Sequence, residues 1–270
     1  MNNHNGRITS LFTNRDKHDK VMSLFITAGY PNLEDTVDLV LGFEANGAEL
    51  IELGMPFSDP LADGPTIQEA SNVSIQNGIT IPKIFDMVKQ IREKSEIPII
   101  LMGYINPVLK YGVKKFCEEA SKCGVDGLII PDAPLEESAI LSKAASNNNL
   151  NMIYLVAPNS TDERMRRVDE ESSGFVYCVS VTGVTGAREG NEVADSVSMF
   201  IDRVNKNVTQ NPKLVGFGIK NHQDAQVISK KLDGFIVGSA LIDTIKSNYP
   251  NNGWQENVFQ FVKELKYGNI

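Results

Sequence analysis

Three carboxylates and three prolines crowd into fourteen residues with no basic partner: Glu52-Leu53-Gly54-Met55-Pro56-Phe57-Ser58-Asp59-Pro60-Leu61-Ala62-Asp63-Gly64-Pro65. Glu52 is the odd residue. It sits within Glu49-Leu50-Ile51-Glu52-Leu53, a run that reads as a strand, and alternation puts it on the face shared with Leu50. A carboxyl withdrawn from water on such a face has its pKa raised toward the range useful for proton transfer at neutral pH. The alternatives are an ion pair with an inward lysine or a solvated rim position; Lys220 is the one basic residue near the end of another expected strand. Asp59 and Asp63 fit ordinary turn chemistry as well, since Ser-Asp-Pro and Asp-Gly-Pro let the side chain bond nearby amides. The stiffness and acidity of the loop favour Asp63 as a presented carboxylate.

A second constellation suits an anion. Gly183-Val184-Thr185-Gly186-Ala187, Gly216-Phe217-Gly218-Ile219 and Gly238-Ser239-Ala240 each follow an apolar run. Amides freed by glycine, with a serine opening a helix, bind phosphate without needing a lysine.

The elements that must position these groups repeat one theme. Apolar runs at Val21–Thr27, Glu49–Leu53, Ile97–Met102, Gly127–Ile130, Met152–Val156, Phe175–Ser180, Leu214–Phe217 and Gly234–Val237 read as strands covered on both faces. Helical periodicity fills the gaps at Leu33–Asn46, Ile81–Glu96, Tyr111–Lys122, Glu136–Asn147, Thr161–Glu170, Val193–Asn207 and His222–Lys231, with a last helix from Gln255 to Lys266. Gly47 and Gly124 stand where a helix C′ glycine would. Eight strands alternating with helices are the arithmetic of a (β/α)₈ barrel. The competing open sheet would carry its glycine fingerprint after the first strand. Here the glycine-rich loops follow strands six, seven and eight, so we expect an α/β, single-domain TIM barrel spanning residues 1–270. Its chemistry would lie at the C-terminal strand ends, with Glu52 pointing into the upper rim.

Composition excludes other classes. With 41% hydrophobic and 22% charged residues, the chain is neither disordered nor low in complexity. Its net charge of -8 repels a phosphate backbone, so no nucleic-acid partner is expected. Cys117, Cys123 and Cys178 have no CxxC spacing and read as buried thiols. Residues 1–13 show no apolar signal region, and the longest apolar run is about half a membrane span; no membrane partner and a cytoplasmic location are expected. His4, His18 and His222 read as surface residues, and Arg164, Arg166 and Arg167, interleaved with Glu163, Asp169, Glu170 and Glu171, as a solvated helix face. Trp254 reads as packing. Catalytic zinc and Cys–His nucleophiles are thereby set aside.

The motifs together carry a resemblance. Phe25-Ile26-Thr27-Ala28-Gly29-Tyr30-Pro31, the run Glu52 to Pro65, Pro131-Asp132-Ala133-Pro134-Leu135-Glu136-Glu137, Val181-Thr182-Gly183-Val184-Thr185-Gly186-Ala187-Arg188 and Gly216-Phe217-Gly218-Ile219 resemble those of the tryptophan synthase alpha subunit family, over essentially the whole chain. The resemblance implies retro-aldol cleavage of indole-3-glycerol phosphate to indole and glyceraldehyde 3-phosphate. It implies that Glu52 is the acid/base and that Asp63, rather than Asp59, accepts the indole N–H. Gly186, Gly218, Gly238 and Ser239 match the phosphate site. Phe25, Met102, Tyr104, Ile129, Tyr177 and Phe217 match the indole pocket, and Thr185 a loop threonine that closes over substrate. It further implies a beta-subunit partner in an alpha2beta2 assembly, with pyridoxal phosphate on that partner and no cofactor on this chain. A free-standing lyase and a catalytically idle activator of a beta subunit remain alternatives at this point. Ala133 and Tyr30 stand where the family commonly has leucine and aspartate.

Overall fold

A computed structural model describes residues 6–16, 19–179 and 191–268. Its strands are β1 (Val21–Thr27), β2 (Leu50–Gly54), β3 (Ile99–Met102), β4 (Gly127–Ile129), β5 (Asn151–Met152), β6 (Leu155–Val156), β7 (Val176–Val179), β8 (Lys213–Gly216) and β9 (Gly234–Val237). All pairings are parallel, in the order β5-β4-β3-β2-β1-β9-β8-β7-β6. The two edges, β5 and β6, are separated in the chain only by Ile153 and Tyr154. They are the halves of one strand, the first bonded to β4 and the second to β7. Backbone bonds from Ile153 N to Leu128 O and from Tyr177 N to Tyr154 O, each 3.0 Å, carry both ladders through the break. The sheet thus meets itself, and eight strands' worth of chain closes into a TIM barrel. The continuous strand expected over Met152–Val156 is divided because each half serves a different neighbour across the stagger that barrel closure imposes.

Around the barrel run α1 (Arg7–Thr13), α2 (Asp35–Ala45), α3 (Pro65–Gln76), α4 (Ile81–Arg92), α5 (Ile105–Tyr111), α6 (Val113–Cys123), α7 (Ala139–Asn147), α8 (Asp162–Glu171), α9 (Asn191–Asn207), α10 (His222–Ser229), α11 (Ser239–Asn248) and α12 (Trp254–Tyr267). Sequence periodicity missed α1, α3 and α5, two of which hold a proline in the first turn. Pro65 opens α3 and Pro107 is the third residue of α5, positions where the missing N–H costs nothing.

The core forms two shells, as period-two strands covered on both sides require. Val21, Leu50, Ile100, Ile129, Ile153, Tyr177, Leu214 and Ile236 fill the barrel interior. Leu24, Ile26, Ile51 and Leu53, from the alternate positions, pack outward beneath the helices. The interior is closed below by α1, whose Ile8 is fully buried. Arg7 anchors that plug to Glu96 and, at 3.1 Å, to Asp126.

Gly47 and Gly124 do follow helices with positive φ, +107° and +98°. At Gly124 a Cβ would also lie 2.9 Å from Arg92 Cγ. Arg92 donates there to the carbonyls of Gly124 and Ile97 and to Asp126.

Two surface expectations need correction. Asp169 is buried and accepts the backbone N–H groups of Thr209, Gln210 and Asn211. It ties α8 to the turn before β8, leaving Arg164 and Arg167 to share Glu136 in the solvated cluster. His222 is half-buried, with Nδ1 3.0 Å from the Leu265 carbonyl, and docks α10 on α12. Trp254 packs edge-on against Tyr249, as a packing residue should. His4 and His18 lie outside the described residues. The three cysteines are buried and free; burial pushes Cys117 and Cys123 up to about 11 and Cys178 up to about 12, which leaves them unreactive as nucleophiles.

Candidate active site

Glu52 is turned into the barrel by the alternation that puts Leu50 in the interior and Ile51 and Leu53 outside. Its side chain is 0% exposed. The Ser23 hydroxyl donates to Oε1 at 2.8 Å, while the buried Oε2 has no hydrogen-bond partner. Burial dominates its ionisation and raises its pKa to about 8, the Ser23 bond opposing weakly. A carboxyl with that pKa holds a proton at neutral pH and can surrender it within one pH unit, the property an acid/base group needs. The inward lysine that would have made it an ion pair is not there: Lys220 is exposed at a cavity rim.

Above the interior opens a cavity of about 610 Å³ at the C-terminal strand ends. Phe25 of β1, Met102 of β3 and Tyr177 of β7 form its apolar wall, and Asp63 its acidic one. Gly218, Gly238 and Ser239, from the chain after β8 and β9, line the same cavity, with Gly238 next to Phe25. Helix α11 begins at Ser239 without a side-chain cap, and Ser239 and Ala240 line the cavity, which brings the positive end of the helix dipole to it. A smaller recess beside Asp63 and Met102 is lined by Tyr104.

Asp63 is half-buried. Burial raises its pKa and a hydrogen bond from Tyr104 offsets part of that rise. The Tyr104 hydroxyl also accepts the Ala62 N–H at 2.9 Å, and its own pKa is pushed up to about 12, chiefly by burial. The strand-three end therefore fixes the loop that presents Asp63. Asp59 instead bonds its neighbour Ser58 in the open.

Not every residue expected at the pocket lines it. Ile129 is fully buried in the barrel interior. Phe217 packs against the outer shell, its ring 5.8 Å from that of Phe200. Thr185 and Gly186, with the glycine-rich segment 183–190, lie outside the described residues. Sequence reasoning missed Ser23 and the cavity residues Asp243 and Thr244. Ser23 had one available signal: a polar residue between Val21 and Phe25 on the inward face of an apolar strand. Among the described residues no three His, Cys, Asp or Glu side chains gather as a metal site, and no helix is long and apolar enough to cross a membrane.

A TIM barrel with a cavity at its C-terminal strand ends is the architecture of an enzyme. The family profile described as "Tryptophan synthase alpha chain" matches residues 12–268. The chain belongs to the tryptophan synthase alpha chain family, a lyase of tryptophan biosynthesis acting on indole-3-glycerol phosphate. It is 45% identical over 263 residues to the tryptophan synthase alpha chain of Geotalea uraniireducens, covering 97% of each chain. The crystal structure of the alpha chain from Legionella pneumophila superposes with a TM-score of 0.87 at 33% identity, covering 97% of both. A tryptophan synthase complex from Pyrococcus furiosus contains a chain matched at a TM-score of 0.81 and 32% identity, covering 93% of this chain and 99% of that one.

Proposed function

We propose that Glu52 and Asp63 carry out the cleavage, with the substrate phosphate held at Gly218, Gly238 and Ser239. The observation that carries this reading is the position of Glu52, wholly buried with its register partner Phe25 lining a cavity that Asp63 and the first residues of α11 also line. Burial raises its pKa to about 8. Protonated Glu52 delivers its proton to indole C3. Positive charge then develops on the ring, and Asp63 stabilises it by accepting the indole N–H. The resulting Glu52 carboxylate takes the proton of the side-chain hydroxyl next to C3. The carbon–carbon bond breaks, its electron pair returns to the ring, and indole and an aldehyde form with Glu52 protonated again. Phe25, Met102 and Tyr177 supply the apolar wall for the indole, with Tyr104 fixing Asp63. Gly186 and Thr185 are assigned to the phosphate and to loop closure by resemblance alone, as are Ile129 and Phe217 to the indole pocket.

The partner is a tryptophan synthase beta subunit carrying pyridoxal phosphate, in an alpha2beta2 assembly, and the chain works as one domain in the cytoplasm. Two observations support a docking face on the reaction side. Leu61, beside the acidic loop's Asp63, is 93% exposed, and Leu109 of α5 is 56% exposed. Indole is apolar and escapes through membranes, so a site opening onto a partner retains it. The test is indole release by the purified chain with and without its beta subunit. Release that rises on adding the partner establishes the reading; full activity without any rise makes this a free-standing lyase, and no release in either condition makes it an idle activator.

A further inference from the structure

Ser23 is a polar residue where the fold calls for an apolar one. Its strand neighbours on the same face are Val21 and Phe25, and it is 0% exposed. It lies in β1, where Phe25, two residues on, is the register partner of Glu52. The Glu52 side chain therefore leans down and across to reach it, and the Ser23 hydroxyl meets Oε1 at 2.8 Å. An isolated hydroxyl in an apolar shell is unfavourable unless its bond is made, and this is the side-chain bond it makes. The two carboxyl oxygens are consequently unequal: Oε1 is held, and Oε2 is buried with no partner.

We propose that Ser23 is a positioning residue for the cleavage, fixing Oε1 of Glu52 so that Oε2 is the oxygen that exchanges the proton with substrate. The inference rests on Glu52 being the acid/base. A glutamate carries three side-chain torsions, and holding one oxygen removes the rotamers that would point the proton away from the cavity. The bond also favours the ionised form of Glu52 against burial, which keeps the proton exchangeable. Few other groups act on this carboxyl. Its strand partners on either side, Phe25 and Ile100, do not ionise, and neither does Ser23 itself. From β7, Tyr177 is buried and its pKa is raised by burial, then by Glu52, Cys178 and Asp63. Among the described residues no cation is brought to Glu52.

Three variants separate the hydroxyl from the volume it occupies. Ser23→Ala removes the donor with little change in bulk; Ser23→Thr and Ser23→Val match each other in shape but differ in the hydroxyl. In indole release, Ala and Val should lower kcat about tenfold, the scale of one lost charge-assisted bond. Glycerol 3-phosphate affinity should not change. The alkaline limb of their pH–rate profiles, which reports loss of the Glu52 proton, should move to higher pH. Thr should recover both rate and profile. An alanine variant with wild-type kcat and profile overturns the proposal, and so does an equal loss in Thr and Val, which would mean that bulk alone matters. Glu52→Gln, assayed alongside, distinguishes the two levels. If it is inactive while Ser23→Ala is normal, only the role of Ser23 falls; if it keeps more than a tenth of the turnover, the assignment of Glu52 falls as well.

Discussion

Gly216 and Tyr177 touch so closely that no side chain fits between them: a Cβ on Gly216 would stand 2.8 Å from the Tyr177 hydroxyl oxygen. The pair joins β8 to β7, with Val179 as the register partner of Gly216. Both residues line the cavity, so a clash here is transmitted to the substrate wall. Gly216→Ala must push the buried ring aside, and the ring's neighbours are the closely packed interior. Activity should fall at least tenfold while the protein stays folded. Tyr177→Phe removes the oxygen that collides, so Gly216→Ala combined with Tyr177→Phe should be more active than Gly216→Ala alone. Indole release by the four proteins of this cycle checks the coupling; strictly additive losses would refute the contact.

Glu52→Gln is close to isosteric and cannot transfer a proton. Turnover should drop by roughly 10²–10⁴, the usual scale for general acid–base catalysis, with glycerol 3-phosphate affinity retained. The same variant reads the burial of the carboxyl. Glu52 has its pKa at about 8 in the fold against an ordinary 4.5. Below pH 4.5 both folded and unfolded chains hold the proton, and the contribution to stability is complete. Between 4.5 and about 8 only the folded chain keeps it, so stability falls as pH rises, by at most about 1.4 kcal/mol per unit. The glutamine variant escapes this loss. Its Tm relative to wild type should climb across that window and level off above it. Parallel Tm curves from pH 5 to 9 would show that the carboxyl is not withdrawn from water.

The anion site can be tested without catalysis. Gly238 precedes α11, and a Cβ there meets only Phe25 at 3.5 Å, ordinary contact. Gly238→Asp therefore adds negative charge beside the helix N-terminus with little steric cost to the wall. Calorimetric titration with glycerol 3-phosphate should show affinity reduced at least a hundredfold, with a near-native thermal melt. Unchanged affinity would place the phosphate elsewhere.

Leu109 is exposed on α5 and is not among the cavity-lining residues, which makes it a probe of the partner face. Leu109→Glu should leave the basal rate of the isolated chain unchanged and raise about tenfold the beta-subunit concentration needed for half-maximal activation. A titration superimposable on wild type would move the docking face away from α5.

Much of this molecule was legible along the chain because its determinants are local. Strand alternation put Glu52 on the inward face with Leu50, and a glycine after each of two helices marked their ends, since both patterns depend on neighbours a few residues apart. Two of the three missed helices carry prolines that are harmless only once a helix is known to begin there. Asp169 looked solvated among charged neighbours, but its partners lie forty residues away in the turn before β8. Closure through two half-strands likewise depends on β4 and β7, which meet Asn151–Val156 only in space. The placement of Ser23 beneath Glu52, and the raised pKa that burial produces, belong to the tertiary structure alone. A carboxyl's proton affinity is set by the water it has lost and the groups around it, and these are assembled from strands far apart in sequence.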